Sequence, residues 1–160
     1  MQNTRKNAQL RHLHRSLLDL MGVLNQPQRD EALIAEAGIS LERALFPLLV
    51  VIERLGPIGI VELADRVGRD HTTVSRQVAR LESLKLVSRR ASPKDGRVRE
   101  VLAAAKGKAM VGAIDGARER LLAPVLAEWR ERDLDQLARL LRRFVDDLLD
   151  LPADKPTHRK

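Results

Sequence analysis

The sequence predicts a mainly α-helical chain with one small two-stranded β-hairpin, and three observations predict it. The apolar residues are nearly all Leu, Val, Ile and Ala, with aromatics at 2% of 160 residues (Trp129, Phe46, Phe144 and no Tyr); that mixture packs helix on helix. Leucines recur at helical spacing towards both ends of the chain. Only the stretch "SRRASPKDGRVREVL", Ser88 to Leu102, reads as two arms around a tight turn, with Asp95-Gly96 as the hairpin signal. Hydrophobic residues at 44% and charged residues at 32% fit a single globular unit with its own core.

Leu10, Leu13, Leu17, Leu20, Met21 and Leu24 place an amphipathic helix over residues 5 to 24. Asn25-Gln26-Pro27 interrupts it, and a weaker helical segment runs towards Gly38. Ser40 predicts the next helix start, as an N-cap ahead of the run Ala44 to Leu55; Pro47 bends or delays that helix and Gly56-Pro57 ends it. Ile60, Leu63, Ala64 and Val67 form a short helix stopped by Gly68. Asp70 caps the following one, whose core face is Val74, Val78, Leu81 and Leu84. After the hairpin, a helix runs from Ala103 to Pro124. Asp133 to Gln136 reads as a capping box opening a last helix, with Leu137, Leu140, Leu141, Phe144, Leu148 and Leu149 inward.

Several function classes drop out. No apolar run approaches the ~20 residues of a membrane span, and the N-terminus has no signal-peptide core, so the expected compartment is the cytoplasm with no membrane partner. There is no cysteine, hence no disulfide or thiolate metal site. His12, His14, His71 and His158 are the only imidazoles and no two are four apart, which speaks against a helical metal site. The acid pairs Asp133/Asp135 and Asp146-Asp147 read as caps and solvated faces. No Ser-His-Asp grouping, phosphate-cradling glycine loop or dinucleotide fingerprint is present, so neither an enzyme nor a cofactor is expected.

The net charge of +7 is concentrated. Arg69 to Arg99 holds nine Lys or Arg against three acids, and residues 1–16 hold four basic residues and no acid, leaving the remainder at −3. That is the footprint of a polyanion binder. On the helix after Asp70, Thr73, Arg76, Gln77 and Arg80 share one face, with Thr72 and Ser75 beside them. The face has no acid and carries donors suited to base edges and phosphates. A helix fits the major groove of double-stranded DNA and a thin basic hairpin fits the minor groove beside it. Arg76 is then the base reader and Arg97, at the hairpin tip, the minor-groove residue. Arg69, Arg80, Arg90, Lys94 and Arg99 meet phosphates, as does His71, and Asp95 forms the turn or orients Arg97. Two helices joined by a glycine turn and followed by this hairpin make a winged helix-turn-helix. A winged-helix module used only for protein contacts is the alternative, but it has no need of an acid-free helix face next to a basic wing. The leucine stripes of the first helix and the last two exceed what one small domain covers, which predicts a homodimer.

The run "VELADRVGRDHTTVSRQVARLESLKLVSRRASPKDGR" resembles the core of the MarR (multiple antibiotic resistance regulator) family of bacterial transcription factors. The resemblance covers Ser40 to Gly107 and rests on "ELA", "TTVSR", "LE", "LV-R" and a Pro-x-Asp-x-Arg wing in this order and spacing. It implies a homodimer with interlocked terminal helices, a repressor on a palindromic operator, and release by a small ligand. It also implies that Thr72, Thr73, Ser75 and Arg76 contact DNA and that Asp95 and Arg97 form the wing-tip pair. The family's pocket implies ligand contacts near His14, Arg15, Phe46 and Ala113, and an arginine there suits a small organic anion. The domains follow: a helical dimerisation segment over 1–39, the DNA-binding domain over 40–103, a second dimerisation segment over 104–151 and a flexible tail over 152–160. Three positions depart from the pattern. Lys85 replaces the glycine ending the recognition helix, a cost of about 1 kcal/mol if φ is positive. Ala104 replaces a threonine N-cap worth about 1 kcal/mol, and Gly96 replaces a basic wing residue.

Overall fold

The computed structural model describes residues 2–151; the expected tail, 152–160 with His158, lies outside them. The elements are α1 (Gln2–Leu24), α2 (Pro27–Glu36), α3 (Phe46–Leu55), β1 (Ile58–Gly59), α4 (Ile60–Val67), α5 (His71–Ser83), β2 (Val87–Ala91), β3 (Arg99–Ala103), α6 (Ala105–Leu126) and α7 (Glu131–Leu149). The described residues fall into two compact bodies, 2–121 and 122–151.

The core lies in the first body. Leu45, Leu48, Leu49 and Ile52 of the α3 region meet Leu63 and Ala64 of α4, and Val74, Val78 and Leu81 of α5. Ile58, Leu86, Val87 and Val101 close it from the sheet, and Val111 from α6. The helical spacing of these residues is the sequence pattern that predicted α4 and α5.

Helix α3 starts later than Ser40 suggests. The chain turns through residues 43–45 and α3 opens at Phe46, which puts Pro47 in its first turn. Proline lacks an N–H and suits that position, whereas in a helix beginning at Ser40 it would leave a carbonyl unpaired and clash with the preceding turn.

The sheet has three antiparallel strands in the order β1-β3-β2, one more than the expected two. The added strand pairs Ile58 with Val101 and Gly59 with Glu100, and two residues are too few to show an alternating pattern. In the hairpin, Ala91 pairs with Arg99, so the strands are joined by a loop of residues 92–98, and the expected turn at Asp95-Gly96 lies inside it. Pro93 cannot donate to a ladder and ends it early. The loop closes on itself: Ser92 N–H donates to Val98 O (2.9 Å), Val98 N–H to Asp95 O (2.9 Å) and Arg97 N–H to Asp95 Oδ1 (3.0 Å).

Helix α6 rests on the core through Gly107, Val111, Ile114 and Ala117. A methyl group at Gly107 would collide with the Leu86 carbonyl, so only glycine lets α6 approach that strand end. The sequence did not single this residue out. The helix continues through Pro124 to Leu126 rather than stopping there.

Helix α7 belongs to the second body and opens at Glu131, not at Asp133. Asp133 lies in its first turn and accepts a hydrogen bond from Arg130 Nε (2.6 Å). No residue of α7 is buried; Leu137, Leu140, Leu141, Leu148 and Leu149, expected to face inward, are exposed. Among the described residues no helix is long and apolar enough to cross a membrane.

Candidate nucleic-acid interface

Between α4 and α5 the chain needs a sharp turn. Gly68 supplies it in the left-handed conformation (φ 63°), at no steric cost to a residue without Cβ. Asp70 then caps α5: its Oδ1 accepts from Thr73 N–H (2.8 Å) and its Oδ2 from the Thr73 hydroxyl (2.6 Å). These bonds, the hydroxyl's first, hold the Asp70 carboxyl below its ordinary pKa. At the other end, Leu86 N–H returns to Leu81 O (3.0 Å) and Lys85 takes φ 61°. It is the one non-glycine residue with positive φ among the described residues, in the position where the resemblance expects glycine.

With 3.6 residues per turn, the side of α5 opposite Val74, Val78 and Leu81 carries Thr72, Arg76 and Ala79. All three are exposed, with His71 at the start of the stripe and Ser75 half-buried at its edge. The face expected to read DNA, Thr73-Arg76-Gln77-Arg80, is therefore turned partly aside. Thr73 is half-buried and bonded to Asp70. Gln77 is half-buried, and its Oε1 accepts from Arg69 Nη1 (3.0 Å). Arg80 Nε donates to Glu42 Oε1 (3.0 Å). Of the four, only Arg76 points outward with no hydrogen-bond or ion-pair partner among the described residues. The spacing identified a polar side of the helix; it could not show that the turn before α3 packs on one flank of it.

The hairpin is also partly self-paired. Arg90 Nε meets Glu100 Oε2 at 3.2 Å across the ladder, where the two residues are directly opposite. Arg89 Nε lies 3.1 Å from Glu82 Oε2. Glu100 stands one residue beyond the basic window counted in the sequence, and its partner lies across the sheet. Lys94, Arg97 and Arg99 are exposed and make no ion pair among the described residues. The Asp95 carboxylate bonds the Arg97 backbone, so it shapes the loop. His71 Nε2 lies 3.9 Å from Asp65 Oδ1 at the foot of the recognition helix.

A capped, outward-facing helix beside a basic hairpin narrows the identity, and comparison with known proteins decides it. A model of the MarR family matches residues 41–98. The uncharacterized HTH-type transcriptional regulator YxaD of Bacillus subtilis (strain 168) is 32% identical over 111 residues, covering 69% of this chain and 78% of its own. The chain belongs to the MarR family. Solved structures share the fold. A MarR family protein from Bacillus stearothermophilus superposes with a TM-score of 0.67 at 21% identity, over 91% of this chain and 96% of its own. A putative MarR family transcriptional regulator from Listeria monocytogenes, solved in complex with a 26mer DNA, gives 0.65 at 22% identity, over 83% and 89%. MarR-family proteins are transcriptional regulators, not enzymes, and this chain's winged helix is the family's DNA-binding fold.

In this MarR-family chain the four residues implied for a ligand are spread out. Arg15 borders a shallow groove on α1 with Ala8, Arg11 and His12. Phe46 borders a different cleft of about 490 Å³, with Leu24, Asn25, Asp30, Arg43, Ala44, Pro47 and Arg69. His14 is exposed on α1 and Ala113 is half-buried on α6, and neither borders these two spaces.

Proposed function

We propose that this protein is a homodimeric repressor that binds a palindromic DNA operator, with α5 in the major groove and the hairpin in the minor groove. One observation carries the reading. The acid-free stripe of Thr72 and Arg76, with Ser75 at its edge, faces outward on a capped helix, next to a wing whose Lys94, Arg97 and Arg99 make no ion pair among the described residues. Arg76 is the base-reading residue, with a planar fork suited to guanine. Arg97, on the loop beyond the strands, enters the minor groove, where a narrow groove deepens the negative potential. Lys94 and Arg99 hold phosphates, and His71 adds one at the helix start. Two-fold symmetry follows from the leucines that α1 and α7 expose, and a two-fold protein is matched by a palindromic site. A small organic anion bound in the cleft beside Phe46 would release the DNA; Arg15, His14 and Ala113 do not border that cleft.

The test is selection of operators from random DNA, repeated with variants. Arg76→Ala costs about 1–3 kcal/mol on the best site and relaxes one base position per half-site. Arg97→Ala weakens binding and dulls discrimination among flanking A·T-rich sequences, leaving the major-groove preference intact. Arg97→Lys restores part of the loss, because ammonium is more strongly hydrated than guanidinium. If the doubly changed protein keeps full affinity, the winged helix serves protein contacts instead. If Arg97→Ala scrambles the major-groove preference while Arg76→Ala does not, the two roles are misassigned.

A further inference from the structure

Arg69 sits in the turn between Gly68 and the cap Asp70, and from sequence it reads as a phosphate contact. Its guanidinium is engaged elsewhere. The same nitrogen, Nη1, donates to Ala44 O at 3.0 Å and to Gln77 Oε1 at 3.0 Å. An arginine Nη carries two hydrogens, so both are spent. Ala44 belongs to the turn ahead of α3, and Gln77 lies well inside α5. One side chain thus ties the flank of the recognition helix to the element beneath it. Beside it, Arg80 Nε bonds Glu42 Oε1 at 3.0 Å, reaching the same turn from one helical step further along.

These bonds form a polar seam along one flank of α5, where Thr73 and Gln77 are half-buried. The apolar contacts of Val74, Val78 and Leu81 fix the depth of the helix in the core. Non-directional packing leaves its rotation about its own axis less well defined. Directional bonds from the flank to residues 42–44 set that rotation, and with it the direction in which Arg76 points.

We infer that Arg69 and Gln77 are positioning residues for DNA recognition, acting on the angle of α5 and not touching bases or phosphates themselves. The inference rests on the DNA-binding reading above. Gln77 Oε1 accepts from a cation that is already placed, so a carboxylate in its position keeps the seam. A base-reading glutamine changed to a carboxylate would instead be repelled by the duplex. The two oxygens are neutral and leave the charge of Arg69 intact; its half-buried place on the flank of α5, away from the exposed stripe, is what keeps it from phosphates and from counterion release.

The experiment measures operator affinity against salt for the full-length protein and for Gln77→Ala, Gln77→Glu, Arg69→Gln and the double variant Arg69→Gln/Gln77→Ala. Gln77→Ala should weaken binding by about five- to tenfold, the effect of one lost hydrogen bond. Gln77→Glu should bind better than Gln77→Ala. Arg69→Gln should lower affinity while leaving the slope of log affinity against log salt unchanged. The double variant should cost little more than the worse single one, since both changes break the same link. In operator selection the seam-breaking variants should relax the preference at the Arg76 position only, with no new preference elsewhere in the site. The inference is overturned if Gln77→Glu binds worse than Gln77→Ala. It is equally overturned if Arg69→Gln lowers the slope by about 0.9 for each subunit, the mark of a lost phosphate contact. A third contrary result is loss of thermal stability with operator affinity unaltered, which would make the seam structural only. Absence of DNA binding by the unchanged protein would instead remove the proposed function, a distinguishable failure.

Discussion

The helices around the DNA-binding core and the helices α1 and α7 are written with the same apolar residue, leucine, at the same helical spacing. Their fates differ. Leu48, Leu49, Leu63 and Leu81 are fully buried by their own chain, whereas Leu10, Leu13 and Leu24 of α1 and Leu137, Leu140 and Leu141 of α7 are exposed. Periodicity says that a stripe wants cover, and nothing in it says who provides the cover. The winged helix is complete as one chain. The flanking helices leave their leucines exposed, and the proposed dimer supplies a second copy to cover them.

The sharpest way to break that comparison is to charge the exposed stripe. Leu137→Glu with Leu141→Glu should leave a folded monomer at micromolar concentration by light scattering. Four leucines per dimer, at about 1.5–3 kcal/mol each, amount to about 6 kcal/mol or more of association. A dimer that survives both changes would show that α7 is not the seam. Leu48→Ala tests the other region. It should cost about 2–5 kcal/mol in denaturant unfolding, through a cavity in a core that no partner can fill. Lys85→Gly should raise stability by about 1 kcal/mol, because it relieves the left-handed strain at the end of α5; a fall in the unfolding midpoint would deny that strain.

The smallest effect is a pH dependence at the start of α5. The Asp70 carboxyl has its pKa lowered in the folded chain, first by the Thr73 hydroxyl and then by the Thr73 N–H. Its contribution is therefore complete above the unfolded value and fades as pH falls through the folded one. The protection of the Thr73 amide, its exchange rate taken relative to the intrinsic rate at each pH, should fall in that acid range. Asp70→Asn, which caps without titrating, should remove the dependence.

What was legible in the sequence was what neighbouring residues decide. Asp70 lies three residues before the N–H it caps, Gly68 sits in the turn it permits, and Val74, Val78 and Leu81 repeat with the helix that buries them. The Lys85 strain was legible through the family pattern. The partners of the arginines were not. Glu42 lies 38 residues from Arg80 and Ala44 lies 25 from Arg69, so charge windows and helical wheels cannot see them. The close approach at Gly107 was hidden for the same reason: its neighbour is a carbonyl of Leu86, on another element. The internal bonds of Gln77 and Arg80 on one flank of α5 were therefore not legible, whereas the helix and its cap were.

Arginines that already hold a carboxylate make a poor glue. Arg80, Arg89 and Arg90 carry Glu42, Glu82 and Glu100 with them. A phosphate that recruits one of them must first displace an acid, which returns less free energy than releasing a bare counterion. On the proposed reading, random chromosomal duplex would then be gripped mainly by Arg76, Lys94, Arg97 and Arg99, which make no ion pair among the described residues. Each visit of the proposed dimer to a wrong sequence would be shortened accordingly, leaving more of its time for movement between sites. On the proposed DNA-binding reading, Glu42, Glu82 and Glu100 thus act on the speed of target search, by keeping the protein from lingering where it has nothing to read.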